Sequence, residues 1–240
     1  MRTLKPAAIP RGACSICCSM LRRRRSDPLA DLSSHDPSRR SAAVGELQET
    51  LVHQGTVSSQ AAAAVPAVAD AALGAAVGRD DRLWLILLLA WIAGGTGKRS
   101  DVEAARAALH ERLPKLLARF DDEQDPSLQI ALATLAAQFP EDAEHSRPRV
   151  ERLIAAQADD PRRVVLEVAC AALGGDVDDA DILRRLPDDY YDGEERAELR
   201  ERLAHDDRSD VFRDVLDNIS GAAIRLEGSD PGRSDPSHSN

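Results

Sequence analysis

An acidic residue followed by proline, then an apolar helical run, recurs along this chain. It stands at Asp36-Pro37, Asp125-Pro126 and Asp160-Pro161, with Asp80-Asp81 as a variant in the gap. Proline at the first helical position costs nothing, because that N–H has no helical partner, and the preceding Asp can cap the free amides. The predicted starts at 37, 81, 126 and 161 are 44, 45 and 35 residues apart. That is the period of helix pairs stacked in series. The first helix of each pair is predicted at Pro37–His53, Asp81–Ala93, Pro126–Phe139 and Pro161–Leu173.

A second signature, proline with an apolar residue two later, falls between these starts. It reads Val65-Pro66-Ala67-Val68, Leu113-Pro114-Lys115-Leu116 and Arg147-Pro148-Arg149-Val150. These mark the second helix of each pair. The middle one is predicted to begin at Ser100-Asp101-Val102-Glu103, which has capping-box spacing, and to split at Pro114. Gly94-Gly95-Thr96-Gly97, Phe139-Pro140-Glu141-Asp142 and Gly174-Gly175-Asp176 are the breaks.

Composition points the same way. The chain is 43% hydrophobic but only 3% aromatic, and Ala and Leu dominate the apolar positions. Those two favour helices, and strand formers are sparse. An all-α protein of about four to five helix pairs is expected. Residues 1–27 form a basic leader expected to be disordered, with seven Arg or Lys in the first 25 positions and no acid. Beyond residue 25 stand 24 basic and 41 acidic residues. Such an acidic body repels phosphate backbones and argues against nucleic acid as a partner. Residues 28–190 carry the helical repeats, 191–226 the capping helices, and 227–240 a solvated tail. In the capping region Glu194–His205 is predicted as a charged helix with a Glu198–Arg202 pair. Val211, Phe212, Val215, Leu216 and Ile219 form a final apolar stripe. The longest apolar run, Leu83 to Ala93, is too short for a membrane span. A cytoplasmic monomer is expected.

The ordered phrases resemble a HEAT-repeat family of bacteria. Besides the Asp-Pro-led and Pro-led helices, His53-Gln54-Gly55-Thr56-Val57 running on to Val65-Pro66 is similar to a phrase of that family. So is the loop Phe139-Pro140-Glu141-Asp142-Ala143. The likeness covers about residues 34–190. It implies a HEAT-like superhelix of helix pairs used for protein contacts, with no shared catalytic residues.

Four constellations invite a chemical reading. Gly94-Gly95-Thr96-Gly97-Lys98-Arg99 looks like a phosphate loop, but Ile92 stands where the first Gly belongs and Arg99 where Ser or Thr would hold magnesium. It is read as a turn. Cys14, Cys17 and Cys18 form half of a zinc signature without a second ligand pair. Asp176-Val177-Asp178-Asp179-Ala180-Asp181 lacks the glycine and spacing of a calcium loop, and is read as a cap for the next helix. Trp84 and Trp91 share a helix face and are assigned to the core. His53, at the end of the first helix, is expected to donate to open carbonyls there. With Gln54 and Thr56 it makes up the candidate binding residues. No catalytic residue, cofactor or metal ligand is assigned. The expected function is a non-enzymatic scaffold or adaptor that binds another protein along a groove. The alternative is a helical-repeat enzyme of nucleic-acid repair or tetrapyrrole-lyase type.

Overall fold

The computed structural model describes residues 27–157 and 162–225. Among them are twelve α-helices and one two-stranded hairpin. The chain is therefore mostly helical, as its composition requires. Cys14, Cys17, Cys18 and the Asp160-Pro161 step lie outside the described residues.

The helices that follow the acidic steps form near their predicted starts. These are α2 (Pro37–Leu51), α4 (Arg79–Gly94), α7 (Pro126–Ala137) and α9 (Arg163–Ala172). Asp36 accepts from the Ser38 amide at 2.9 Å, and Asp125 from Ser127 and Leu128 at 3.0 and 3.1 Å. A further step of the same kind, Asp27-Pro28, caps the short α1 (Pro28–Asp31). Asp81 behaves differently. Gly78 is the cap of α4, and Asp81 is buried in its first turn, accepting from Ser41 Oγ at 2.7 Å.

The partner helices are α3 (Ala61–Leu73), α5 (Arg99–His110) with α6 (Leu113–Ala118), and α8 (Ala143–Ala156). Pro114 splits the second of these, as expected. Pro66 and Pro148 lie inside α3 and α8 rather than leading them. The signature marked the right segments, but not their first residues. The capping box at Ser100 does not form. Lys98 precedes α5 without a side-chain cap, and Arg99 pairs with Glu103 one turn on.

Two layers result. α4, α7 and α9 pack on one another in order, with α2 beside α4. On one side of this row lie α3, α5 and α8. α4, α7 and α9 are buried around most of their circumference, including Leu85 to Ala90, Ile130 to Ala137 and Val164 to Ala172. Such helices need cover on more than one side.

The remaining cover comes from the C-terminal region. α10 (Asp179–Arg185) and α11 (Gly193–His205) lead into α12 (Arg208–Arg225). α12 does not sit at the end of the row. It packs on α9, α7 and α4 together. Val211, Phe212, Val215, Leu216 and Ile219 are all fully buried by it. The acidic loop serves as the cap expected of it, with Asp178 accepting from Ala180 and Asp181 at the start of α10. Asp192 and Glu195 close a capping box on α11. Arg202 does not pair with Glu198. It reaches Asp214 on α12 at 2.5 Å and Asp206 at 3.5 Å. No described helix is long and apolar enough to cross a membrane.

Candidate functional site: two clefts on opposite layers

The His-Gln-Gly-Thr phrase builds a tight hairpin. β1 (Val52–His53) pairs antiparallel with β2 (Thr56–Val57), with His53 opposite Thr56. Gln54 and Gly55 have φ of 49° and 76°. Positive φ at both central residues is the turn that matches strand twist, and Gly55 takes it freely. Gln54 is the sole non-glycine residue in that region among the described residues. A side chain there costs about 1–2 kcal/mol.

The Gly94–Gly97 turn is laced onto this hairpin. Val57 N donates to Thr96 O, and Thr96 N donates to Gly55 O, each at 2.8 Å. Two glycines allow the approach. A Cβ on Gly95 would lie 2.6 Å from Val57 Cγ2 and 2.7 Å from Trp91 O. A Cβ on Gly94 would lie 2.6 Å from Gln138 Oε1 and 2.8 Å from Asp217 Oδ2. The turn is thus read correctly as a break, but its glycines serve packing as much as turning.

The hairpin, this turn and α11–α12 enclose a cleft of about 700 Å³. Gln54, Trp91, Arg202, Asp214, Asp217 and Asn218 carry its polar and aromatic character. Asp217 is its least ordinary member. Gln138 Nε2 donates to its Oδ1 at 2.9 Å. Burial, reinforced by the neighbouring Asp214, pushes its carboxyl up to about 7. Trp91 is half-buried, 6.3 Å from Trp84 between ring centroids. The pair sits at the edge of the core rather than within it.

A second cleft, of about 350 Å³, opens on the other layer, between α5–α6 and α8. Leu113, Pro114 and Leu117 line it from one helix, and His145 and Arg149 from the other. Its rim is a set of polar pairs. His110 Nε2 lies 2.9 Å from Asp142. Arg106 forks onto Glu141 at 2.7 and 2.9 Å, with its guanidinium 4.5 Å over the Phe139 ring. Arg149 and Arg152 converge on Asp121, holding its carboxyl below the usual range. The Phe139–Asp142 break supplies part of this rim through a short 3-10 turn.

Of the candidate binding residues, Gln54 lines the first cleft. His53 and Thr56 have exposed side chains on the same hairpin and line neither cleft. The expected donation from the His53 ring to helix-end carbonyls is not made among the described residues. Cys170 is buried in α9, where burial pushes its thiol up to about 11, and it lines neither cleft. Asp217, Asn218 and His145 were not singled out in the sequence. Their roles depend on contacts far apart along the chain, such as Gln138 to Asp217, and carry no local signal. Among the described residues no group of three or more His, Cys, Asp or Glu is placed to hold a metal ion. Comparison of the chain with protein-family models, curated proteins and solved structures finds no match.

Proposed function

We propose that this chain is a HEAT-like helical-repeat protein acting as a non-enzymatic scaffold or adaptor. It would work as a cytoplasmic monomer and hold a protein partner in the groove between α5–α6 and α8. One observation carries the reading: α5–α6 and α8 stand apart over an apolar floor rimmed by charge. Pro114 and Ala118, both exposed, give a partner side chain a surface to bury, over the buried Leu113 and Leu117. The Arg106–Glu141 and Arg149–Asp121 pairs fix a polar edge. An apolar centre with a polar rim is the anatomy of groove recognition by helices and peptides. α12 covers α4, α7 and α9 but not this groove, which stays open to a partner. The serial helices that begin near the predicted starts, α2 and α7 of them Asp-capped, support the repeat assignment.

The test is quantitative affinity capture from native lysate with the wild-type chain and two variants. Ala118→Arg with His145→Glu blocks the groove through two exposed residues. Glu49→Arg, on the exposed side of α2, is the control. A partner whose recovery falls at least about tenfold with the groove variant, and is unchanged with the control, supports the reading. Equal recovery from all three, or no specific partner from any, overturns it.

A further inference from the structure

The cleft between the hairpin and α12 has a different chemistry from the groove. It lies at the C-terminal end of α4, where the last-turn carbonyls give a helix its negative pole. Gly95 continues the chain there without a backbone cap bond, and Trp91 O lies against it. A carboxylate is the wrong partner for such a pole. Yet α12 brings Asp217 to it, with Oδ2 only 2.8 Å from the position of a Gly94 Cβ. Asp214 adds a second carboxylate one turn away. Asp217 Oδ2 accepts no hydrogen bond from the described residues. Arg202, the cation of the lining, is already held by Asp214 and Asp206. The Trp91 indole forms part of the wall. Helix end, free carboxylate oxygen and aromatic wall all favour one kind of guest, and a local rule broken this way marks a functional place.

We propose that this cleft is a binding seat for a guanidinium cation. A guanidinium can lie flat on the indole while its N–H groups reach Asp217 Oδ2 and the α4 carbonyls. A volume of about 700 Å³ admits an arginine with its flanking residues as well as a small free guanidinium compound. The hydrogen bond from Gln138 orients the carboxylate, and that from Asn218 Nδ2 to Tyr191 Oη, at 3.2 Å, steadies the rim.

The seat is linked to protons. Asp217 binds a proton near pH 7 in the free protein, so a cation bound beside it expels that proton. The charged groups facing it are Asp214 and Arg213 on its own helix and Arg202 from α11. The hairpin and α4 present the uncharged Gln54 and Trp91, and the end of α7 the uncharged Gln138.

The experiment is titration calorimetry of the full chain, with tryptophan emission followed in parallel. The probes are methylguanidinium, the capped peptide Gly-Ser-Arg-Ser-Gly, and the same peptide with lysine. The arginine peptide is expected to bind, and about tenfold more weakly at pH 6 than at pH 8. Asp217→Asn should weaken binding about tenfold and flatten that dependence. Trp91→Phe should weaken it several-fold, with Trp84 left as the reporter. Methylguanidinium binding as tightly as the peptide identifies a free small cation as the guest, and peptide preference identifies a protein segment. Equal affinity for the lysine peptide, or wild-type affinity without pH dependence between 6 and 8, overturns the proposal. The wild-type pH series needs no variant, so it decides even if Asp217→Asn fails to fold.

Discussion

Asp217 carries the clearest consequence at the scale of one residue. Its carboxyl sits at about 7 in the folded chain against an ordinary value of 3.8. Between those values the folded state holds more protons than the unfolded one, so stability falls as pH rises from about 4 to 7. The loss attributable to this group is up to about 4 kcal/mol. Asp217→Asn keeps an acceptor for Gln138 and removes the ionisation. Denaturant melts at pH 8 should show the variant more stable than wild type, with the gap closing towards pH 4. A variant of equal or lower stability at pH 8 contradicts the raised carboxyl. None of this was legible in the sequence, where Asp217 is one acid among 41. Burial against elements remote along the chain, such as the end of α4 at Gly94, raises the carboxyl, and Asp214 adds to this from one turn away.

At the scale of the helix, two capping devices divide the work. Asp-Pro steps close N-termini, and they were readable because cap and helix are adjacent. Asp125→Ala should cost about 1 kcal/mol from the cap, and somewhat more through loss of the 2.7 Å contact with Arg79. A thermal melt in low salt measures it, and an unchanged midpoint would deny the cap its role. The C-termini use arginines from other elements. Arg82 of α4 donates to Ala72 O, Gly74 O and Val77 O at the end of α3. Arg208 of α12 donates to Gly175 O and Val177 O beyond α9. Arg196 of α11 serves Leu183 O and Leu186 O around the end of α10. A guanidinium fork reaches several carbonyls at once, which an ammonium does less well. Three of the chain's 28 arginines are employed in this way. The partners could not be named in advance, since they lie 5 to 33 residues away.

At the scale of the whole molecule, α12 is the decisive element. A row of helix pairs alone would unfold approximately unit by unit, because each unit touches only its neighbours. Here one helix binds α4, α7 and α9 together, so unfolding should be cooperative. Phe212 is fully buried in that contact, with the Arg208 guanidinium 5.2 Å from its ring centroid. Phe212→Ala is expected to cost about 3–5 kcal/mol. It should also separate the ellipticity transition from the tryptophan transition of α4, two signals that coincide in the wild type. Coincident transitions in the variant would mean that α12 does not bind the row together.

The sequence by itself determined the helical class, the starts of α2, α4 and α7 and the breaks between them. Those depend on residues within a turn of one another: a cap, a proline, an alanine-rich run. The tight hairpin was not read there: the first helix was expected to run to His53, but it ends at Leu51 and Val52–His53 turn into a strand. Tertiary structure alone decided that α12 crosses the row instead of ending it. It also decided that Trp91 faces a cleft, and that Asp217 meets the end of α4. An apolar stripe states that a face must be buried. It does not state against what, because burial energy depends on the area covered and not on which helix covers it.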